Sequence, residues 1–292
     1  MSAKIGLIQV TSEGVGASVE ERQDRLIAWM DETLADGADL VTMTEVFQYQ
    51  EARKTATPQQ LAQRHSGRFM RMCSELAKRR RAYVVPWDYE QDEKGSLYSA
   101  CIVFGRNGER IGSYRKVHLT WSEQQKGLAA GRDFPVFELD IGKVGIQICF
   151  DQYFPESVRA LAINGAELIL YPYFGDTMPA VWEAGIRARA FENSVFIAAS
   201  SISKSTFTGI VDPLGQVVAT IPERGKTAVV EIDLQRPVIT RTSALPGRFE
   251  DFREYLRKVR QPHAYSMLTE PRPVKEWDDI LIDDKAGDPN VR

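Results

Sequence analysis

Residues 37–45 read GADLVTMTE, and residues 165–173 read GAELILYPY. Each segment opens with a glycine that can end a helix, and each continues as a short apolar run typical of a buried strand. An apolar strand and a helix precede both segments, so each closes a β–α–β unit. The match favours an internal duplication, and chance similarity between two short apolar strands is the alternative.

The first unit begins with a strand at residues 4–10, and Ser18 and Glu21 form a capping box that opens its helix. In the second unit a strand over residues 143–148 leads to a helix that begins at Pro155, a residue favoured at the first helical position. Alternating strands and helices of this kind predict an α/β fold with parallel strand pairs.

The intervening and following segments continue the α/β pattern. A helix is predicted over residues 67–80, and Asn107-Gly108 marks a hairpin turn between strands at 97–104 and 110–118. The remaining predictions are strands at 83–86, 136–139, 195–200, 209–212, 217–220 and 228–232, and a helix at 180–192. Beyond residue 243 the chain is polar, with one helix at 250–260. We therefore predict a main domain at residues 1–242 and an extension at residues 243–292 that packs on the domain or on a partner subunit.

The composition limits the class of protein. The 292 residues are 43 % hydrophobic and 26 % charged with a net charge of −3, which argues against a nucleic-acid partner. The chain has no apolar stretch of the roughly 20 residues that span a membrane and no signal-peptide pattern. The three cysteines show no paired spacing, which predicts no disulfide, no metal site and a cytoplasmic location. Cys73 and Cys101 lie in apolar patterns and are interpreted as core residues.

Three side chains of complementary chemistry stand at predicted strand ends. Glu45 ends the strand 39–44, Lys116 lies near the end of a hairpin arm, and Cys149 follows the strand 143–148. Taken singly, each has an ordinary explanation: a solvated carboxylate, a solvated lysine and a buried, inert cysteine. Taken together they are a base, a cation and a nucleophile, and the carboxyl ends of strands are where open α/β sheets bind ligands.

The local sequences around these residues carry a family resemblance. The strings TEVF (44–47), YRKVHL (114–119), ICFD (148–151) and RARAFEN (187–193) resemble the carbon–nitrogen hydrolases of the nitrilase superfamily, from about residue 4 to residue 235. The resemblance implies a four-layer α-β-β-α sandwich, a homodimer or higher homo-oligomer, and no metal or organic cofactor. It also implies a Glu–Lys–Cys triad made of Glu45, Lys116 and Cys149.

The resemblance assigns a role to each residue. Cys149 attacks a carbonyl carbon and forms a thioester, Glu45 acts as general base, and Lys116 and the backbone N–H of Phe150 stabilise the oxyanion. Many family members also carry a second glutamate after the lysine. Glu123 is the candidate here, but the family spacing falls nearer Gln124, and a solvated loop glutamate is the alternative.

The nucleophile segment bears on the substrate. Nitrilases of the family read Cys-Trp-Glu, whereas this chain reads Cys-Phe-Asp at 149–151, as amidases and carbamoyl amidases do. Residues 149–156 (CFDQYFPE) look closest to N-carbamoylputrescine amidases, and Gln152-Tyr153 stands where ω-amidases carry an arginine. We therefore expect a hydrolase of a small-molecule amide or N-carbamoyl amine. A nitrilase, and a catalytically silent binding or scaffold protein, are the alternatives.

Several residues near these strand ends are candidates for the pocket wall. They are aromatic, and their ordinary explanation is core packing: Tyr153, Phe154, Tyr173 and Trp182. Asp151 is interpreted either as a group that faces the pocket and attracts a cation or, preferably, as a hydrogen-bond acceptor at a helix N-terminus. His118 is expected to pack or to form hydrogen bonds, not to act as a base.

Overall fold

The structure, a computed structural model, describes residues 2–10, 18–175, 178–202, 206–221, 225–238 and 251–270. The chain forms two compact units, residues 1–253 and residues 254–292. The predicted boundary after residue 242 lies outside the described residues. In the second unit a 3₁₀ helix covers Pro262–Leu268. Across the described ranges, no helix combines the length and the apolar character needed to cross a membrane.

The described strands form two sheets in the first unit. They are β1 (Ser2–Gln9), β2 (Leu40–Thr42), β3 (Tyr83–Val85), β4 (Trp87–Gln91), β5 (Leu97–Phe104), β6 (Arg110–Arg115), β7 (Val136–Leu139), β8 (Gly142–Ile146), β9 (Leu168–Tyr173), β10 (Phe196–Ser201), β11 (Gly209–Val211), β12 (Val217–Thr220) and β13 (Lys226–Asp233). The first sheet has the order β13-β1-β2-β3-β5-β4, with β6 also paired to β5. The second has the order β12-β11-β10-β9-β8-β7.

The two sheets repeat one topology. In the first, β1, β2 and β3 are parallel neighbours, and β13 and β5 pair antiparallel with the outer two. In the second, β8, β9 and β10 are parallel, and β7 and β11 flank them antiparallel. The repeat predicted from residues 37–45 and 165–173 is therefore present as β2 and β9, the middle strand of each parallel set.

The described α-helices are α1 (Val19–Ala35), α2 (Pro58–Leu61), α3 (Gly67–Arg80), α4 (Trp121–Gln125), α5 (Pro155–Ile163), α6 (Pro179–Asn193) and α7 (Phe252–Val259). Two of them cover the outer face of each sheet. Helices α1 and α3 pack on the first sheet, α5 and α6 pack on the second, and β1 contacts β10 between the sheets. These contacts confirm the predicted four-layer α-β-β-α sandwich.

Side-chain alternation along β9 separates the two apolar cores. Leu168 and Leu170 point into the core between the sheets, whereas Ile169 and Tyr171 pack in a second core with α5 and α6. Because successive side chains of a strand point to opposite faces, a strand covered on both faces must be apolar throughout. This double burial explains why residues 165–173 read as a continuous apolar run.

The local predictions differ from the structure mainly at element ends. Helix α3 has the predicted bounds, the Ser18–Glu21 capping box is present, and Gly108 adopts a positive φ of 82° in its turn. Strand β4 was not predicted, because Asp88 and Glu90 interrupt its apolar pattern. The hairpin arm predicted to reach His118 ends at Arg115, so Lys116 directly follows the strand.

Gly6 on β1 permits close packing of α1. A Cβ atom at this position would lie 2.5 Å from Cγ2 of Thr33 and 3.2 Å from the carbonyl oxygen of Leu40. We expect Gly6→Ala to lower the free energy of unfolding by about 1–3 kcal/mol, since backbone and helix must shift to accept the methyl group. Urea unfolding measures this change.

Gly67 is the matched control, because its nearest neighbour is the flexible Arg71 side chain at 3.6 Å and its φ of −60° is helical. Gly67→Ala is expected to leave stability unchanged or to raise it by about 0.4–1 kcal/mol. Equal unfolding midpoints for Gly6→Ala and the unsubstituted protein would show that α1 does not depend on this contact.

Candidate active site

The carboxyl ends of four strands meet at one place. Glu45 follows β2, Lys116 follows β6, Cys149 follows β8 and Phe174 follows β9. The Thr44 hydroxyl donates a hydrogen bond of 2.7 Å to the carbonyl oxygen of Tyr173. This bond ties the end of β2 in the first sheet to the end of β9 in the second, and it holds the segment that carries Glu45 against the segment that carries Phe174.

Lys116 lies between two carboxylates. Its Nζ is 2.9 Å from Oε1 of Glu45 and 2.9 Å from Oε1 of Glu123, and only 1 % of its side chain is exposed. Burial alone would lower the pKa of the ammonium, but the charges of Glu45 and Glu123 outweigh burial and raise the pKa well above its usual value. Lys116 is therefore a fixed positive charge inside the protein.

Helix α4 settles which residue supplies the second carboxylate. Thr120 and Glu123 form a capping box, in which Oε2 of Glu123 accepts the Thr120 backbone N–H at 2.8 Å. Its other oxygen faces Lys116. The amide of Gln124 instead donates to the carbonyl of Leu119. The structure thus brings Glu123, and not Gln124, to the lysine.

Cys149 lies beside Glu45 and Lys116 in the same site. Its thiol interacts with the Glu45 carboxylate, and its sulfur also interacts with the backbone of Phe174. Burial, followed by the negative charge of Glu45, raises the pKa of the thiol above its usual value. The pKa of Glu45 is also raised, chiefly by burial and against the opposing effect of Lys116. The thiol is therefore protonated at rest, beside a carboxylate placed to remove its proton.

Two strained residues flank this contact. Cys149 has a φ of 43° and Val46, next to Glu45, has a φ of 66°. A positive φ is uncommon for residues other than glycine, and for a β-branched residue such as valine it is an outlier. Strain of this kind persists where the surrounding structure determines it, and it clusters at active sites. The strained backbone therefore lies at the nucleophile itself and directly beside the base.

A buried carboxylate holds the turn that presents Cys149. Asp151 accepts hydrogen bonds from the backbone N–H of Ile148 at 2.9 Å and of His118 at 3.0 Å, and from the Tyr114 hydroxyl at 2.6 Å. It is fully buried and has no exposure to a pocket. The preferred interpretation is therefore supported, although Asp151 caps the 3₁₀ turn Cys149–Tyr153 and not the following α-helix. His118 has a hydrogen-bonding role in this network.

The predicted aromatic residues fall into two groups. Phe154 stacks on His118 with ring centroids 3.7 Å apart, which makes it part of the support for Asp151. Trp182 makes an edge contact with Tyr153 at 5.0 Å and stacks with Tyr173 at 6.2 Å. Tyr153 is 51 % exposed, whereas Tyr173 is buried and donates its hydroxyl to the carbonyl of Phe207. Phe150 lies in the same turn as Cys149 and contacts Tyr153.

The structure adds residues that sequence reasoning missed. The Tyr171 hydroxyl donates to the Cys149 carbonyl oxygen at 3.0 Å, and the guanidinium of Arg53 lies 4.6 Å from the ring centroid of Phe174. Phe174 follows the strand 168–173, so its position was a usable signal, whereas Arg53 stands in a polar segment without a pattern. In the part of the chain that the structure describes, no group of histidine, cysteine or acidic residues is arranged to hold a metal ion.

Comparison with known proteins identifies the family to which this chain belongs. The family model described as carbon-nitrogen hydrolase matches residues 4–241. Nitrilase homolog 2 of Dictyostelium discoideum is 30 % identical over 248 residues, which cover 78 % of this chain and 75 % of that protein. Omega-amidase NIT2 of Homo sapiens is 28 % identical over 253 residues, which cover 80 % of this chain and 90 % of that protein.

Solved structures share the fold. The carbon-nitrogen hydrolase from Helicobacter pylori G27 superposes with a TM-score of 0.75 at 20 % identity, covering 92 % of this chain and 99 % of that one. Saccharomyces cerevisiae Nit3, a member of the nitrilase superfamily, superposes with a TM-score of 0.67 at 24 % identity, covering 80 % and 90 %. The chain therefore belongs to the carbon-nitrogen hydrolase family of the nitrilase superfamily, and it is a hydrolase that acts on carbon–nitrogen bonds other than peptide bonds.

Proposed function

We propose that the protein hydrolyses a small amide or N-carbamoyl amine through a thioester on Cys149. One observation carries the proposal: the Cys149 thiol contacts Glu45, and Glu45 in turn contacts the buried ammonium of Lys116, which Glu123 holds from its other side. A nucleophile, a base and a cation in contact at strand ends are the parts needed for acyl transfer.

The first half-reaction forms the acyl-enzyme. Glu45 takes the thiol proton while the sulfur of Cys149 attacks the carbonyl carbon, which gives a tetrahedral adduct with a negatively charged oxygen. Lys116 and the backbone N–H of Phe150 stabilise that oxyanion, and one such donor contributes about 3–4 kcal/mol. The carbon–nitrogen bond then breaks, and Glu45 returns its proton to the leaving nitrogen, so that ammonia or an amine departs and a thioester remains.

The second half-reaction uses the same groups. Glu45 takes a proton from water, the hydroxide attacks the thioester carbon, and a second tetrahedral adduct forms beside Lys116. Its collapse breaks the carbon–sulfur bond, and Glu45 returns the proton to the sulfur. The products are a carboxylic or carbamic acid and the free Cys149 thiol. Glu123 keeps Lys116 in place throughout, since it contacts the ammonium from the side opposite Glu45.

For the substrate, we propose an N-carbamoyl amine of the N-carbamoylputrescine type as the first candidate. The segment 149–156 supports it, as does the aromatic cluster of Tyr153, Tyr173 and Trp182, because aromatic faces attract ammonium groups. Both observations fit a substrate whose alkyl group ends in a positive charge.

A second candidate is an amide that carries a carboxylate. The guanidinium of Arg53 lies over Phe174, whose backbone contacts the nucleophile, and it forms no salt bridge within the described residues. Arg53 could bind a carboxylate in place of the arginine that ω-amidases carry at the positions of Gln152 and Tyr153. Several relatives of this chain, the human protein among them, are omega-amidases.

We further propose a cytoplasmic homo-oligomer. The three cysteines are free, which fits a reducing compartment. Exposed apolar side chains lie on the outer helices α5 and α6, with Ile163 43 %, Val181 63 % and Phe191 55 % exposed, and a second copy of the chain would cover them.

Acid quenching during turnover is expected to trap an acyl group on Cys149. The peptide that contains Cys149 should gain the acyl mass, whereas the peptides with Cys73 and Cys101 should not, because both of these thiols are fully buried in the core. Mass spectrometry of the digest checks this. An acyl mass on either core cysteine, or turnover by Cys149→Ala, would contradict the assigned nucleophile.

Glu45→Gln is expected to lower kcat about 10²- to 10⁴-fold, because the amide still accepts a hydrogen bond from Lys116 but cannot take a proton. Glu123→Gln is the matched control, because it makes the same change in the other carboxylate that contacts Lys116. It should lower kcat less than Glu45→Gln does. Since burial raises the pKa of Glu45, the activity of the unsubstituted protein should fall as the pH drops through that raised value. Equal losses from the two variants would exclude Glu45 as the base.

A substrate panel separates the two candidates. With a carboxylate-bearing amide, Arg53→Met should raise KM at least about tenfold, the effect of losing one charged contact worth about 1.5–3 kcal/mol. Lys54→Met is the control, because Lys54 is the neighbouring cation and its side chain is 67 % exposed. If instead N-carbamoyl amines are the preferred substrates and Arg53→Met leaves their KM unchanged, the first candidate is supported. Efficient conversion of nitriles to acids would contradict both.

A further inference from the structure

A second buried carboxylate lies behind the active site. Asp88 on β4 is fully buried, and three donors converge on its Oδ1. They are the backbone N–H of Tyr89 at 2.7 Å, the Ser66 hydroxyl at 2.8 Å and the Tyr49 hydroxyl at 2.9 Å. Its Oδ2 has no hydrogen-bond partner among the described residues. A carboxylate in this state is costly to bury, and an apolar residue of similar size would be cheaper.

The first connection from Asp88 leads to Glu45. Tyr49 lies in the 3₁₀ turn Phe47–Tyr49, which begins two residues after Glu45 and directly follows the strained Val46. The Tyr49 hydroxyl is bound by Asp88, and its ring stacks on Tyr89 with centroids 5.5 Å apart. The hydrogen bonds of this turn to β4 therefore hold the backbone that keeps Val46 in its unfavourable conformation.

Gln48 adds a second attachment of the same turn to β4. Its side-chain amide donates a hydrogen bond of 2.9 Å to the carbonyl oxygen of Trp87, the residue that precedes Asp88. The turn is thus fixed to β4 at two consecutive positions, one through Trp87 and one through Asp88. Because Glu45 lies just before this turn, the direction of the Glu45 side chain depends on the position of β4.

The second connection leads to Lys116. The indole N–H of Trp87 donates to the Ser99 hydroxyl at 2.9 Å, and the Ser99 carbonyl oxygen accepts the backbone N–H of Lys116 at 2.8 Å. Strand β4 is therefore linked on one side to the segment that carries the base and on the other to the residue that supplies the cation.

From this arrangement we propose that Asp88 is a positioning residue, which fixes Glu45 relative to Lys116 by anchoring Tyr49 to β4. The inference rests on the proposed function, because it concerns the same base and cation. It explains why a buried carboxylate stands at a position where an apolar residue would make the core more stable. Asp88 binds no substrate and acts through Tyr49.

The charge of Asp88 is sensitive to pH. Burial raises the pKa of its carboxyl to about 7, against hydrogen bonds from Ser66, Tyr49 and Tyr89 that lower it. The titratable groups that face it are Tyr49, Tyr89 and Cys73, and the His65 ring lies against Tyr49. An ionised carboxylate binds hydroxyl donors more strongly than a neutral acid does, so the hold on Tyr49 strengthens as the pH rises through this range.

The stability of the protein depends on the ionisation of Asp88 with the opposite sign. Because the pKa of Asp88 in the folded protein is above its ordinary value of 3.8, the folded state binds its proton more tightly than the unfolded state does. The contribution of Asp88 to stability is therefore present at low pH and is lost as the pH rises toward about 7. Positioning and stability thus respond to pH in opposite directions, which allows the two roles to be separated.

Asp88→Asn tests the proposal, since it keeps the size of the side chain and removes its charge. We expect kcat to fall about 10- to 100-fold with KM changed less than about twofold, as for a small displacement of reacting groups. The decline of kcat below neutral pH should also be less steep in the variant, because one of the two titrating carboxyls is gone. An unchanged kcat and pH profile in a folded Asp88→Asn protein would overturn the proposal.

Two further variants separate positioning from packing. Tyr49→Phe removes only the hydroxyl that joins Asp88 to the turn after Glu45, and it should lower kcat in the same manner as Asp88→Asn. Ser113→Ala is the control: it removes a hydroxyl that binds Glu90, the other buried carboxylate of β4, while Arg110 and Arg115 still hold that carboxylate, and it should leave kcat within about twofold. Equal effects of Tyr49→Phe and Ser113→Ala would contradict the route through Tyr49.

Alkylation of Cys149 by iodoacetamide makes the test independent of the substrate. Because Glu45 must take the thiol proton, its displacement should slow alkylation in Asp88→Asn and Tyr49→Phe but not in Ser113→Ala, as followed by mass spectrometry. If the unsubstituted protein turned over no amide or carbamoyl amine, the proposed function would fail. If it were active while all three variants alkylated at its rate, only the role of Asp88 would fail.

Discussion

The site depends on one buried ion cluster, the Lys116 ammonium held between Glu45 and Glu123. An ammonium removed from water loses several kcal/mol of solvation, and that loss is offset only when opposite charges lie in contact with it. Either carboxylate alone would leave the cluster neutral; the pair gives it a net negative charge. Burial, followed by the negative charge of Glu45, raises the pKa of the adjacent thiol, which keeps the proton available for transfer to Glu45 and keeps the nucleophile neutral until a substrate arrives.

The duplicated α/β topology explains how these groups meet. The first sheet supplies Glu45 and Lys116, and the second supplies Cys149 and the backbone of Phe174. All four follow strands whose carboxyl ends point to the same region, and the Thr44–Tyr173 hydrogen bond joins the two sheets there. The strands determine where each side chain starts, and positive φ angles occur at Cys149 and at Val46, the residue next to Glu45.

Much of this arrangement could be predicted from sequence, because it is recorded in local patterns. Apolar runs, capping residues and turn glycines predicted the two β–α–β units, and the resemblance of the local strings to carbon–nitrogen hydrolases predicted the triad of Glu45, Lys116 and Cys149. The contact of Glu123 with Lys116 was ambiguous by one residue, since it depends on a capping box in the short helix α4 that packs no apolar face. Strand β4 was missed because its buried acids, Asp88 and Glu90, have partners that are far away in the sequence. Long-range pairing of polar groups leaves no periodic signal in one chain.

The division of the site between two sheets has a consequence during synthesis. When only the first half of the chain has been synthesised, Glu45 and Lys116 are present. Cys149 belongs to the half that is made later. The incomplete polypeptide therefore lacks the thiol that Glu45 activates. The base and the nucleophile come together only when β8 and β9 of the second sheet pack against the first sheet, so the active site is assembled by the docking of the two sheets.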